Sequence, residues 1–598
     1  MAADPGLATE TLSPGRGKEP RGTGPGDVWA LTLDNGTAAL ILSLTLFALS
    51  TVVVLAVFRR KHARSICGFS RQSTEKPPQA TVGEDTGVPP WDAASALPST
   101  STPSLESPSP ACPGEKASSA SSCAASDSAA VEPDPAQASG GMRRSASFIS
   151  GSQNRSAAAL AASFFSSGVG TWILYCPAQL SSLYGMWPVL LYAVAIAVPM
   201  WIFMLAGPMV REEMKKHVAF GLTDYVHVRF GRSMQIVTAV VSFFSIMVAM
   251  AGELAFVAAA AQTLAPAFPR LAVILSVAVV TFAYTAFAGT NASLVTDKFQ
   301  SFLLPLLLSI VLVAPCLHSQ VSEATWKDAA TWTPEGAFSG VLMVLSCCPA
   351  YAMDPGMWQR VLSGKGTREV RWGLLGGSLL VLPTIALLGL TGILARATAV
   401  ALEAQGYTVN EDNLVSAPFF FLVLPSLSRG LVAVVFILAV ILTAGSVDTF
   451  QSALPSLVAV ELNAKRLSFG WGLLVSLVAN IPAVLLAFSW TESFIQLMLI
   501  GNLLTAAIFP PIFLGLCKRT TALGSVVGSI AGAVSIFFSG LIFTRGDASM
   551  AARWIVLPLG MDDPSAVYTF LIVPATAALV TVCVSALQPR KARVCPPP

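Results

Sequence analysis

The chain has 598 residues, of which 54% are hydrophobic and only 12% charged, with a mean hydropathy of +0.66 and a formal net charge of +3. About three hundred residues in long apolar runs are too many for the core of a water-soluble globule of this size, which excludes a soluble enzyme or binding module. The net charge itself says little, because the charges sit in loops and their sidedness carries the information; no nucleic-acid partner is expected.

Thirteen apolar stretches follow one another, near 38–58, 156–181, 187–207, 235–264, 270–289, 299–317, 337–353, 372–394, 430–458, 470–488, 492–516, 521–543 and 565–587. At 1.5 Å per residue, most can cross a hydrocarbon core of about 30 Å as helices. The chain therefore reads as an all-α polytopic membrane protein with about thirteen transmembrane helices, set in a lipid bilayer and expected in the plasma membrane.

Basic residues give the orientation. Arg59, Arg60, Lys61 and Arg64 follow the first span at once, which predicts a cytoplasmic C-terminal end for that span and an outer N-terminus. Alternating from there, the predicted inner loops beyond the long linker hold seventeen Lys and Arg against six in the outer loops, and the C-terminus falls inside. Residues 1–37 show no signal-peptide pattern, so they are expected as an extracellular tail and 38–58 as an extra, uncleaved N-terminal helix. The sequon Asn35-Gly36-Thr37 lies too near the membrane to be used.

Residues 59–155 are a different material, dominated after Ser65 by Ser, Ala, Pro and Gly, and read as a disordered cytoplasmic linker. Arg143 and Arg144 stand four and three residues before Ser147, which makes that serine a phosphorylation candidate; chance basic residues in a solvated linker are the plainer reading. Residues 156–587 form the predicted core and C-terminal helices, and 588–598 a cytoplasmic tail. The cysteines fall almost wholly in spans or inner segments, so no disulfide framework is expected.

Two spans carry helix-breaking residues. The second contains Ser166-Ser167-Gly168-Val169-Gly170-Thr171, and the seventh runs through Ser346-Cys347-Cys348-Pro349 to end at Asp354-Pro355-Gly356. Glycine costs a helix about 1 kcal/mol and proline about 3 kcal/mol, and irregular backbone inside a membrane persists where it lines a cavity. The two spans lie five apart and run in opposite directions, the layout of two inverted five-helix repeats with a site between them. Ser167, Gly168, Gly170, Cys347 and Cys348 are the candidate solute contacts. Small residues at tight helix crossings are the alternative.

Acidic residues inside spans give a second signal. Glu253 stands midway along 235–264 and Asp448 within 430–458; each must face the protein interior and pair, or stay protonated.

The segment Tyr284-Thr285-Ala286-Phe287-Ala288-Gly289-Thr290-Asn291-Ala292-Ser293-Leu294-Val295-Thr296-Asp297-Lys298-Phe299-Gln300 resembles the signature of the sodium:solute symporter family, and Trp358-Gln359-Arg360 resembles that family's Trp-Gln-Arg after the seventh span. The resemblance covers about residues 156–587 and is nearest to the urea and proline transporter branches. It implies a leucine-transporter-type core of ten helices that alternates access to a central site. It also implies a Na+ ion held by carbonyls of Ser166, Val169 and Val440 and by the Thr443 hydroxyl, with Asp297 on the cytoplasmic exit path of the ion. Oxygen ligands suit a hard cation.

Two positions depart from the family pattern. A second hydroxyl is replaced by Ala444, with Ser446 two residues on as a substitute, and Gly168 stands where proline carriers have an aspartate. Proton carriage by Glu253 or Asp448 is therefore the alternative coupling. Asp297 or Thr296 also reads as an N-cap for the span 299–317, a role compatible with the exit path.

The resulting expectation is a secondary active transporter that couples Na+, or alternatively H+, to a small polar solute such as a proline-like amino acid or urea. No resident cofactor is expected. A passive urea-type channel is the runner-up. An enzyme is disfavoured, because the four histidines, His62, His217, His227 and His318, are scattered over predicted loops and form no metal-ligand spacing.

Overall fold

The structure is a computed structural model that describes residues 33–72, 155–216, 221–318, 321–406, 408–458, 469–489 and 494–588. The chain divides into residues 1–59 with 139–598, which form the helical body, and residues 60–138 as a separate unit. Ser147 and most of the predicted linker lie outside the described residues.

In chain order the main helices are α1 (Asn35–Gln72), α2 (Ala157–Ser167), α3 (Cys176–Tyr184), α4 (Met186–Lys216), α5 (Arg232–Leu264) and α6 (Arg270–Ala288). They continue with α7 (Thr290–His318), α8 (Pro334–Ala352), α9 (Pro355–Ser363), α10 (Thr367–Ala404) and α11 (Arg429–Val458). The last four are α12 (Phe469–Ser489), α13 (Phe494–Phe513), α14 (Ala522–Phe543) and α15 (Pro564–Leu587). A helix lies at every one of the thirteen predicted stretches. Among the described residues, ten helices are long and apolar enough to cross a membrane, and the bent pair Ala157–Ser167 and Thr171–Tyr184 makes an eleventh.

Burial sorts the helices into centre and rim. In α11 and α5 the apolar windows are 72% and 61% buried, against 28% in α1 and 22% in α15, so the first two form the centre and the last two the edge. Leu571, Leu579 and Val582 on α15 point outward, as a lipid-facing surface requires. The packing is reciprocal. Helix α2 lies on α10 while α8 lies on α4, and α5 crosses α11 between them. That pattern places the first helix of each half against the second helix of the other.

Close approach makes this packing possible. Ser181 Oγ on α3 donates to the carbonyl of Gly389 on α10 at 2.5 Å. One turn on, a Cβ added at Gly392 would fall 2.0 Å from the carbonyl oxygen of Ala178. Backbone cannot retreat there as a side-chain tip would. Gly392→Ala is expected to destabilise the protein by about 1–3 kcal/mol through overpacking, read as a lower melting temperature in detergent; an unchanged melt would mean that α3 is free to shift.

The break in the second span is where the sequence puts it. Ser156 caps α2 by accepting from the Ala159 amide, and the helix stops at Gly168. A short 3-10 turn at Thr171–Leu174 then leads into α3, with a bend of 61°. The seventh span differs from expectation. Helix α8 runs unbroken through Ser346, Cys347, Cys348 and Pro349, and the interruption falls at Met353 and Asp354. A proline inside a packed membrane helix removes one hydrogen bond without ending the helix. Asp354 followed by Pro355 is the stronger signal: its carboxylate accepts from the Gly356 and Met357 amides and starts α9.

Two other expectations shift. Helix α1 continues past the first span to Gln72, because residues 59–72 supply helix-favouring Arg, Lys and Ala beyond the apolar run. Helix α7 begins at Thr290, directly after Gly289, so Thr296 and Asp297 lie inside the helix and not at its N-cap.

Candidate functional site

The break between α2 and α3 faces α5 on one side and α11 on the other. From α5, Glu253 reaches into it: its Oε2 accepts from the Thr171 amide at 2.8 Å, and Ser446 of α11 stands beside the same carboxylate. The free amide at the start of the Thr171–Leu174 turn is thus met by an acid from another helix. Gly170 makes the approach possible, since a Cβ there would lie 1.8 Å from Glu253 Oε1 and 2.7 Å from Ser446 Oγ. Glu253 is only 5% exposed, yet it lines a cavity.

About 860 Å³ of empty space lies there, part of it open to solvent. Glu253 and Asp354 are among its lining residues, the latter with its carboxylate bonded to the Gly356 and Met357 amides, together with Trp172, Phe256, Tyr351 and Phe450. Ser167, Ser242, Ser245, Ser446 and Asn502 supply neutral polar groups, and none of the described lining residues is Lys, Arg or His. The site is acidic and aromatic. Tyr351 also links the two interruptions, its hydroxyl reaching toward the Gly168 carbonyl at 3.5 Å.

Two of the predicted cation ligands, Ser166 and Thr443, lie where α2 ends against α11. Thr171 Oγ1 donates to the Ala439 carbonyl at 2.9 Å and pairs with Thr443 Oγ1 in a short hydroxyl contact. Ser166 Oγ donates to Gln300 Oε1 at 2.6 Å, while Gln300 Nε2 donates to the Ile441 carbonyl at 2.8 Å. Val169 and Val440, the other two predicted ligands, are both buried. The site residues missed in the sequence are Thr171, which holds Thr443, and Gln300, which ties Ser166 to α11. Gln300 was visible as the last residue of the Thr-Asp-x-x-Gln motif.

Ser167 lines the cavity, and Gly170 lies against Glu253. Cys347 and Cys348 do not line the cavity; Ala350, Tyr351 and Met353 form that wall, because α8 does not unwind and its backbone is not freed there.

A second polar cluster is wholly buried. Asp297 pairs with Arg360 at 3.0 Å, with the two side chains 0% and 3% exposed, and Ser163 Oγ makes a short hydrogen bond to Asp297 Oδ2. Next to it, Asp448 Oδ2 accepts from Tyr284 Oη and Thr296 Oγ1, both at 2.8 Å. Glu253 is therefore apart from the two aspartates: the first belongs to the cavity, and Asp297 and Asp448 belong to the α7–α11 seam.

A model of the sodium:solute symporter family matches residues 148–532. The spermidine transporter DUR31 of Candida albicans is 25% identical over 452 residues, which is 74% of this chain and 84% of that protein. A Na+-coupled sialic acid symporter, solved in a substrate-bound outward-open state, superposes with a TM-score of 0.60 at 14% identity, over 76% of this chain and 96% of the other. The last of these shows the fold, a leucine-transporter-like arrangement, and the family match covers well over half of the chain. The chain belongs to the sodium:solute symporter family and is an integral, multi-pass membrane transporter, not an enzyme.

Proposed function

We propose that this protein couples the inward sodium gradient to uptake of a small organic cation, of the polyamine type, by alternating access. The observation that carries the reading is the cavity beside the helix break: the Glu253 carboxylate, four aromatic rings and no basic side chain among the described lining residues. A buried carboxylate without a basic partner costs several kcal/mol, which an ammonium ligand would offset. Aromatic faces favour the same ligand through cation–π attraction. Similarity to a spermidine transporter supports this solute class. Proline, expected from the sequence, would set its own carboxylate against Glu253; urea, neutral, would leave that charge uncompensated.

In this reading the thirteen spans run with the N-terminus outside and the C-terminus inside, as the seventeen-to-six bias of basic residues favours. The ten core helices form two inverted repeats, α2–α7 and α8–α13. Sodium would take the carbonyls of Ser166, Val169 and Val440 with the hydroxyl of Thr443, and Asp297 would lie on its exit path. The unusual feature is that Thr443 already shares its hydroxyl with Thr171, so Thr171 is a further oxygen at that place where Ala444 offers none. Ser446 stands beside Glu253. Proton coupling is the second reading, favoured by the acids Glu253 and Asp448 within the helical body.

The test is uptake of labelled spermidine, proline and urea into proteoliposomes, with sodium present or replaced by choline, at two pH values. Sodium-dependent entry of spermidine is expected. Sodium-dependent entry of proline or urea with none of spermidine would overturn the solute class, and entry in choline that grows at acid pH would move the coupling to protons. In the same assay Thr443→Ala is expected to raise the sodium concentration for half-maximal uptake by roughly tenfold, the worth of one lost oxygen contact. An unchanged sodium dependence would discard that ligand.

A further inference from the structure

Helix α10 starts basic and continues apolar along one outer side. Arg368, Trp372, Leu375, Leu379, Pro383 and Leu387 recur every three or four residues and so share a face, with Arg371 at its edge. Trp372 is 57% exposed and Leu379 60%, so no other described helix covers this face. From Trp372 to Leu387 it runs about 22 Å at 1.5 Å per residue, deeper than one half of a hydrocarbon core of about 30 Å.

The basic end is unbalanced. Among the described residues neither Arg368 nor Arg371 makes an ion pair, and nor does the exposed Lys365 in the loop before them. A helix start carries the positive end of the dipole, where cations are unfavourable, and no side chain caps α10 at Gly366. Glu369 is the acid of the first turn, and it is turned back over the loop: a Cβ on Gly366 would lie 2.5 Å from its Oε2. Arg211, at the end of α4, adds a buried cation at the same loop. It is 2% exposed, its Nη2 donates to the Gly364 carbonyl, and its Nε has no hydrogen-bond partner among the described residues. Glu369 and Glu212 are the acids that act on it. The loop itself is held in place, since the Arg155 amide donates to the Ser363 carbonyl at 3.1 Å and the Lys365 amide to the Arg155 carbonyl at 3.0 Å.

An anion at this place would offset the crowded positive charge, and guanidinium forks match the oxygens of a phosphate. We propose that the start of α10 is a binding site for an anionic phospholipid, its phosphate held by Lys365, Arg368 and Arg371 and an acyl chain laid along Trp372, Leu375 and Leu379. Basic residues at the end of a spanning helix select anionic headgroups, and a tryptophan next to them suits the membrane–water boundary. A soluble phosphate would meet the same cations and leave the apolar face unused. A zwitterionic headgroup would bring its own cation against them. The leaflet, the cytoplasmic one, rests on the proposed orientation; the site does not, and it is independent of the transported solute.

Native mass spectrometry of the full chain, titrated in detergent with phosphatidylserine or with phosphatidylcholine of the same acyl chains, tests the site without any transport measurement. The intact protein is expected to retain phosphatidylserine in preference. Arg368→Gln together with Arg371→Gln should weaken that binding by roughly tenfold to thirtyfold, the attraction of two basic side chains for a charged headgroup, and leave phosphatidylcholine binding unchanged. Lys518→Gln with Arg519→Gln, two exposed cations on the loop between α13 and α14, should bind like the unaltered chain. Glycerophosphoserine, the headgroup without acyl chains, should not displace the lipid. Equal losses in the two paired variants, or no preference for phosphatidylserine, would overturn the site. Displacement by glycerophosphoserine would overturn the lipid as occupant and put a soluble phosphate in its place.

Discussion

Replacing Glu253 with glutamine is expected to weaken half-saturating uptake of a polyamine by roughly tenfold to a hundredfold, with little change in thermal stability. The two effects separate because the side chain has two tasks. Its Oε2 accepts from the Thr171 amide at the helix break, and a glutamine carbonyl oxygen in the same place still accepts that bond. Its charge is what a solute ammonium would meet, and a charge-assisted hydrogen bond is worth about 1.5–3 kcal/mol. Glu253→Ala removes both tasks, leaves the buried Thr171 amide unpaired and should lower the melting temperature as well. Uptake of the amine by Glu253→Gln with wild-type affinity would exclude this carboxylate from solute recognition.

Asp297→Ala is expected to cost the fold about 3–5 kcal/mol, because it strands the guanidinium of Arg360 in a fully buried place. The partner substitution Arg360→Ala should cost a similar amount for the converse reason. Joined in one chain, the two should cost clearly less than their sum, since no unpaired charge then remains. A double-mutant cycle on melting temperatures measures this. Strict additivity would mean that water or lipid headgroups reach the pair and that the cluster is not sealed.

Much of this molecule is legible from the order of its residues. The apolar runs place a helix at each of thirteen positions, because a backbone without water must bond to itself locally, and only the helix does so within one segment. The first break is equally local: Gly168 and Gly170 weaken the helix where they stand, and the chain unwinds there. The second break shows the limit of composition. Pro349 is the more conspicuous residue, but Asp354 and Pro355 end one helix and start the next, because a side chain that satisfies free amides outweighs a single missing hydrogen bond. The same limit holds at Asp297, whose N-cap reading fails once α7 begins at Thr290.

The site itself divides along the same line. Ser166, Thr443 and the signature ending in Gln300 could be picked from the sequence by resemblance, as could Glu253 by its charge in an apolar run. Pairings between them could not. Glu253 meets Thr171 across 82 positions, Thr171 meets Thr443 across 272, and Arg360 meets Ser163 across 197. Sequence alone determined the helices, the first break and the membrane setting, since each follows from interactions within a single turn or a single span. Only the tertiary structure decided that the cavity is acidic and aromatic and that Arg360 and Asp297 meet in a buried pair, because contacts of that kind depend on how separate helices cross and not on what either one contains.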